Sequence, residues 1–111
     1  MQAFDLARLF AQRALLGTPY LEFLKVPALS LGLYTLAVGA TDLQTPHAED
    51  EAYYVVSGRG RIRVGDEERA VEPGTIVFVP ARVPHRFFAI AQELTLLVFF
   101  SPAEGTGLPP R

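Results

Sequence analysis

The chain has no cysteine. That absence removes disulfides, thiolate metal sites and a cysteine nucleophile together. Histidine is scarce, with only His47 and His85. A strong charge of one sign is also missing. Ten basic and twelve acidic residues leave a formal net charge of −2, so nothing electrostatic points to nucleic acid or an anionic membrane as partner. No apolar run reaches the length of a membrane span, and Arg8 and Arg13 interrupt the hydrophobic N-terminal stretch, so a signal-peptide pattern is lacking. Internal repeats and low-complexity segments are absent too. The expectation is a cytoplasmic protein with no nucleic-acid and no membrane partner.

What is present is apolar and punctuated. Half of the 111 residues are hydrophobic, and Phe and Tyr are plentiful, which suits one domain with a single core. That domain is expected to span 1–111, with a helix over about 5–16, a barrel over about 20–100 and a loose tail over 101–111. Asp5 is placed to cap a helix from Leu6 to Leu16, and Gly17 with Thr18-Pro19 supplies stop signals. Phe4, Ala7, Phe10, Ala11 and Ala14 fall at helical spacing and predict its apolar face. From Tyr20 the pattern becomes that of strands. Tyr20–Val26 and Ser30–Val38 read as the first two, and Gly39 to Gln44 as a loop. Glycine at Gly58 and Gly60, Gly65-Asp66 and Pro73-Gly74 then mark turns between short strands up to Leu94–Phe100. One helix followed by eight or nine strands predicts an all-β sandwich or barrel.

The stretch Thr45 to Gly58, TPHAEDEAYYVVSG, organises the rest. Residues two apart in a strand share a face, so Glu51, Tyr53 and Val55 point the same way. His85 lies in a second β-like stretch, VPARVPHRFF. Two imidazoles and a carboxylate on facing strands suit a metal ion. Each residue also has a plain alternative: His47 as a loop histidine bonded to backbone, Glu51 as a surface carboxylate, His85 as a turn residue after Pro84. Glu49 and Asp50 are expected to be solvated loop carboxylates. Arg61 and Arg63 share one strand face, read as solvated, or as anion anchors if that face is the interior. Arg82 and Arg86 read as rim residues. Phe78, Phe87, Phe88, Phe99 and Phe100 read as core or dimer residues. Tyr53 reads as core, with a phenol on Glu51's side.

Over roughly Leu31 to Phe100 these residues resemble the cupin family, in its small single-domain, conserved-barrel form. Thr45, His47, Glu51 and Gly58 fall on the spacing of the first cupin motif. Pro80, Arg82 and His85 fall on the second, with Arg82 in the glycine position, and Glu72 to Pro80 resembles the usual lead-in. The resemblance implies a jelly-roll β-barrel with a short N-terminal α-helix and a metal at the barrel mouth. Three histidines and one glutamate are common in the family; here Thr45 stands in the first histidine's place. His47, Glu51 and His85 remain as metal ligands, with Thr45 and Tyr53 as candidate pocket residues. The implied cofactor is a divalent ion, whether zinc, iron, manganese or nickel. The implied function is an enzyme acting on a small organic molecule by dioxygenase-, isomerase- or hydrolase-like chemistry. The alternative is a non-catalytic cupin that binds a sugar or small acid at a degenerate metal site. A homodimer is expected, through the helix, Tyr20–Val26 and the Phe99-Phe100 strand. No catalytic acid or base stands out beyond the ligands.

Overall fold

A computed structural model describes residues 1–42 and 46–105. The order is one helix, α1 (Leu6–Leu16), then six strands: β1 (Tyr20–Val26), β2 (Leu29–Leu36), β3 (Asp50–Val64), β4 (Glu67–Val71), β5 (Ile76–Val79) and β6 (His85–Ser101). They form one antiparallel sheet in the order β1-β2-β6-β3-β4, with β5 added against β3. With its single helix this is the jelly-roll barrel architecture.

The helix starts and stops where its signals lie. Asp5 stands at the N-cap, where its carbonyl accepts from Arg8 and Leu9, but its side chain makes no capping bond. Gly17 ends the helix in the left-handed conformation (φ 70°) that glycine adopts without penalty. The packed face differs from the expected one. Leu9 is buried against Leu21 and Leu33, with Leu6 and Phe10 beside it, while Ala7, Ala11 and Ala14 are exposed. The larger leucines bury more apolar area per residue than the alanines do. No helix among the described residues is long and apolar enough to cross a membrane.

The strand count also differs, and the reason is local. The expected break at Gly58 is a bulge inside one 15-residue strand, and the expected pair 85–90 and 94–100 is one 17-residue strand. Gly58 has φ 94°, and a Cβ there would overlap the backbone of Glu93. Register slips cluster between Val55 and Arg61, and Ala89 on β6 also has positive φ (49°). Such bulges bend a strand and interrupt the ladder locally, and pairing with β6 resumes on either side. A straight strand would carry the chain about 43 Å over the thirteen residues from Glu51 to Val64. Yet Val64 pairs with His85, and the His85 ring lies 2.9 Å from the Glu51 carboxylate. The bent ladder therefore rolls its two ends together, and that closure builds the site.

The core fills the barrel between these walls. Val55, Leu94 and Leu96 are fully enclosed, with Tyr53, Ile62, Phe87, Val98 and Phe100 nearly so. Each such side chain contributes about 1.5–3 kcal/mol by leaving water. Among the phenylalanines read as core or dimer residues, Phe87 and Phe100 lie inside, Phe88 and Phe99 are half-buried, and Phe78 is 60% exposed. Burial of Phe100 removes it from the expected dimer surface. Arg61 and Arg63 face solvent as expected, Arg63 pairing with Glu68 at 3.2 Å. Ala103 and Glu104, expected in a loose tail, are tied down: the Ala103 amide donates to Pro27 and the Glu104 amide to the Ser30 hydroxyl.

Candidate metal centre

Glu51 is the second residue of β3 and points inward with Tyr53 and Val55, as period-two alternation requires. His85 opens β6 and is 6% exposed. His47 lies in the segment before β3, half-buried, with its ring edge-on to Phe100 at 4.9 Å. The backbone fixes that segment, because the Arg82 amide donates to the His47 carbonyl at 2.6 Å. Arg82 does so in the left-handed conformation (φ 67°), which explains why glycine suits that motif position.

One ligand atom from each of His47, Glu51 and His85 lies within 4.8 Å of the others. The structure thus brings together the three residues that the spacing singled out. His85 Nδ1 is 2.9 Å from the Val83 carbonyl. A carbonyl only accepts, so Nδ1 carries the proton and Nε2 presents its lone pair inward. Nε2 stands 2.9 Å from Glu51 Oε1, close to the ~3.0 Å between neighbouring ligands at right angles around an ion with bonds of about 2.1 Å. Neither atom, nor Glu51 Oε2, has a hydrogen-bond partner among the described residues, so the close contact is not a well-aligned hydrogen bond. Leaving a buried polar atom unsatisfied costs about 1–3 kcal/mol. A divalent ion would satisfy all three atoms at once, so the donor set fits a metal.

Charge agrees with this arrangement. Burial pulls the His85 imidazole down, but Glu51, the Val83 carbonyl and Asp42 outweigh it and hold the pKa above its usual value. Burial pushes the Glu104 carboxyl up; His47 opposes this, while Glu22, Glu51 and Glu49 push it further up. Glu49, expected to be solvated, is 4% exposed. It immediately precedes the strand that turns Glu51 inward, and the wrapped barrel encloses it. Asp50 remains exposed and accepts from the Ala81 amide at 2.8 Å.

A cavity of about 240 Å³ shares His47 and Glu51 with this cluster; its other walls are Tyr20, Tyr34, Val98, Phe100 and Glu104. Tyr53 lies among the core residues, 1% exposed, with its ring 6.1 Å from His85 and 4.8 Å from Phe87. Thr45 lies outside the described residues. Sequence reasoning passed over Asp42, which is 5% exposed: one carboxylate oxygen accepts from the Tyr34 hydroxyl and the other from the Phe87 amide, both at 2.8 Å. It also passed over Tyr20 and Glu104. No short-range signal marks these residues, because their partners are distant in the chain.

The sequence matches the cupin domain family over residues 32–101. An uncharacterized protein of Streptomyces coelicolor is 51% identical over 104 residues, covering 94% of this chain and 99% of that protein. A crystal structure from Thermus thermophilus superposes with a TM-score of 0.72 at 27% identity, over 93% of this chain and 99% of that one. Salicylate 1,2-dioxygenase from Pseudoaminobacter salicylatoxidans superposes with a TM-score of 0.73 at 19% identity. That alignment covers 86% of this chain but 33% of the dioxygenase, a likeness of fold alone.

Proposed function

Since the chain belongs to the cupin domain family, we propose that His47, Glu51 and His85 hold a divalent metal ion beside a cavity that takes a small organic molecule. The observation that carries this reading is the buried trio of unsatisfied atoms, Glu51 Oε1, Glu51 Oε2 and His85 Nε2. Two imidazoles and a carboxylate suit zinc, iron, manganese or nickel, and leave coordination positions open to a ligand. When bound, the ion supplies a Lewis acid that polarises a ligand oxygen. The chain's own groups do the rest. The Val83 carbonyl fixes the His85 tautomer, as partners of metal-bound histidines do. The Arg82 amide anchors the His47 backbone, and Val98 and Phe100 wall the cavity with apolar surface. The reaction class we assign is one of the oxygenase, isomerase or hydrolase type on a small molecule.

A second reading has its own support. The short His85–Glu51 contact, with the imidazole pKa held up, lets an imidazolium–carboxylate pair keep the site closed without metal. The protein is then a binding cupin for a sugar or other small molecule. Elemental analysis of untagged protein separates the two: about one equivalent of metal per chain supports the metal reading, and a folded metal-free protein that takes up no added metal supports the other. For the assembly we propose a homodimer, through the exposed outer face of β3 and β5. There Tyr54 pairs with Ile76, and Phe78 lies further along the same face.

A further inference from the structure

The end of the cavity contributed by β1 and the chain after β6 has features that metal binding does not use. Tyr20 and Tyr34 pair across β1 and β2, and their rings meet edge-on at 6.0 Å. Tyr34 spends its hydroxyl on Asp42. The Tyr20 hydroxyl is buried and has no hydrogen-bond partner among the described residues. Its ring lies over Gly32, where a Cβ would overlap both ring and hydroxyl. A side chain at 32 would therefore displace the phenol from the cavity wall. Glu104 reaches the same cavity because its amide is pinned to Ser30. Its carboxylate stands 3.8 Å from His47 Nδ1, with the side chain only one-third exposed.

We propose that the Tyr20 hydroxyl and the Glu104 carboxylate form a ligand-recognition pole. It selects a neutral or cationic small molecule that carries a hydroxyl or amine donor, and in the metal-free protein it rejects anionic acids. The proposal rests on the reading above in placing the ligand beside His47 and Glu51. Two carboxylates, Glu51 and Glu104, line one small cavity, and an anion brought near them without a compensating cation is repelled. A ligand hydroxyl presented to the pole instead donates to the Glu104 carboxylate, a charge-assisted bond, and accepts from the Tyr20 O–H, while an amine donates to both oxygens. Burial and then Glu104 push the Tyr20 phenol well up, which keeps it a neutral O–H. The body of the ligand lies against Val98, Phe100 and the tyrosine rings. An apolar cavity of about 150 Å³ takes a benzene-sized molecule; on that scale the cavity of about 240 Å³ takes roughly ten non-hydrogen atoms.

The test uses three probes on one frame: benzylamine, benzyl alcohol and benzoate. Binding is measured by calorimetry or ligand-observed NMR, on protein as purified and again after chelation, for wild type, Tyr20→Phe and Glu104→Gln. Both substitutions keep the side-chain shape. After chelation, wild type is expected to bind benzylamine most tightly and benzoate least. In both states Glu104→Gln should weaken benzylamine about tenfold or more and leave benzoate unchanged or tighter, while Tyr20→Phe should weaken benzyl alcohol by several-fold. Failure of all three probes to bind, or a benzylamine affinity indifferent to Glu104→Gln, overturns the proposal. A zinc titration reads the metal centre separately: absence of zinc binding with the probe pattern intact refutes the metal reading and supports this one.

Discussion

If the trio is a metal centre, loading it must stabilise the fold by an amount that can be worked out. A ligand that binds only the folded state at one hundred times its Kd contributes about 2.7 kcal/mol. Unfolding entropy near the midpoint is ~2.1 cal/mol/K per residue. For 111 residues that gives roughly 230 cal/mol/K, and the midpoint should rise by about 12 °C. The structure gives a reason for this sensitivity, since the Glu51 and His85 side chains are each 1% exposed and their facing atoms unsatisfied. The assay is differential scanning calorimetry of chelated protein with zinc, manganese, nickel or, without oxygen, ferrous iron. His85→Ala removes the imidazole whose tautomer is fixed, and Glu51→Gln removes the only charged ligand; each should cut the rise to about 2 °C or less, from lost affinity. The reasoning is refuted if no ion raises the midpoint, or if His85→Ala retains the full rise.

Protonation gives a related expectation. The folded pKa of His85 is raised, so its charged form stabilises the metal-free fold below the unfolded value of about 6.5, and that contribution is lost as pH rises through the folded value. Protons compete with the ion in the same window, so metal affinity should begin to fall at a pH above 6.5; metal titrations at neutral and mildly acid pH check this. Arg82 in the left-handed region costs about 1–2 kcal/mol; glycine would remove that cost, but its looser unfolded chain would take back part of the gain. Arg82→Gly should therefore stabilise by roughly 0.5–1 kcal/mol in denaturant melts, and a loss of stability would show that the backbone there is unstrained. Gly32→Ala should destabilise by about 1–3 kcal/mol through overlap with Tyr20, read in the same melts; a neutral effect would mean that the phenol has room to move. Sedimentation at micromolar concentration should give a dimer for wild type and a monomer for Phe78→Glu, whereas a wild-type monomer would discount the β3–β5 face.

Two things were legible in the sequence alone: the barrel class, and the three side chains, His47, Glu51 and His85, that the fold brings together. Both rest on short-range information: the spacing of His47, Glu51 and Gly58, the two-residue alternation that turns Glu51, Tyr53 and Val55 inward, and glycines and prolines between apolar runs. The helix ends were legible for the same reason, since caps act over one turn. Tertiary structure decided what depends on distant chain. Gly58 reads locally as a turn, yet the partner backbone at Glu93 makes it a bulge, and β3 continues to Val64. The helix buries Leu9 and leaves Ala7 out because β1 and β2 offer Leu21 and Leu33 to that face. Glu49 looked solvated beside Asp50 until the barrel wrapped over it. Glu104 enters the cavity only through Ser30, 74 residues earlier in the chain. Local patterns encode which way a side chain points; what it meets there is set by closure of the barrel, where residues far apart in sequence come into contact.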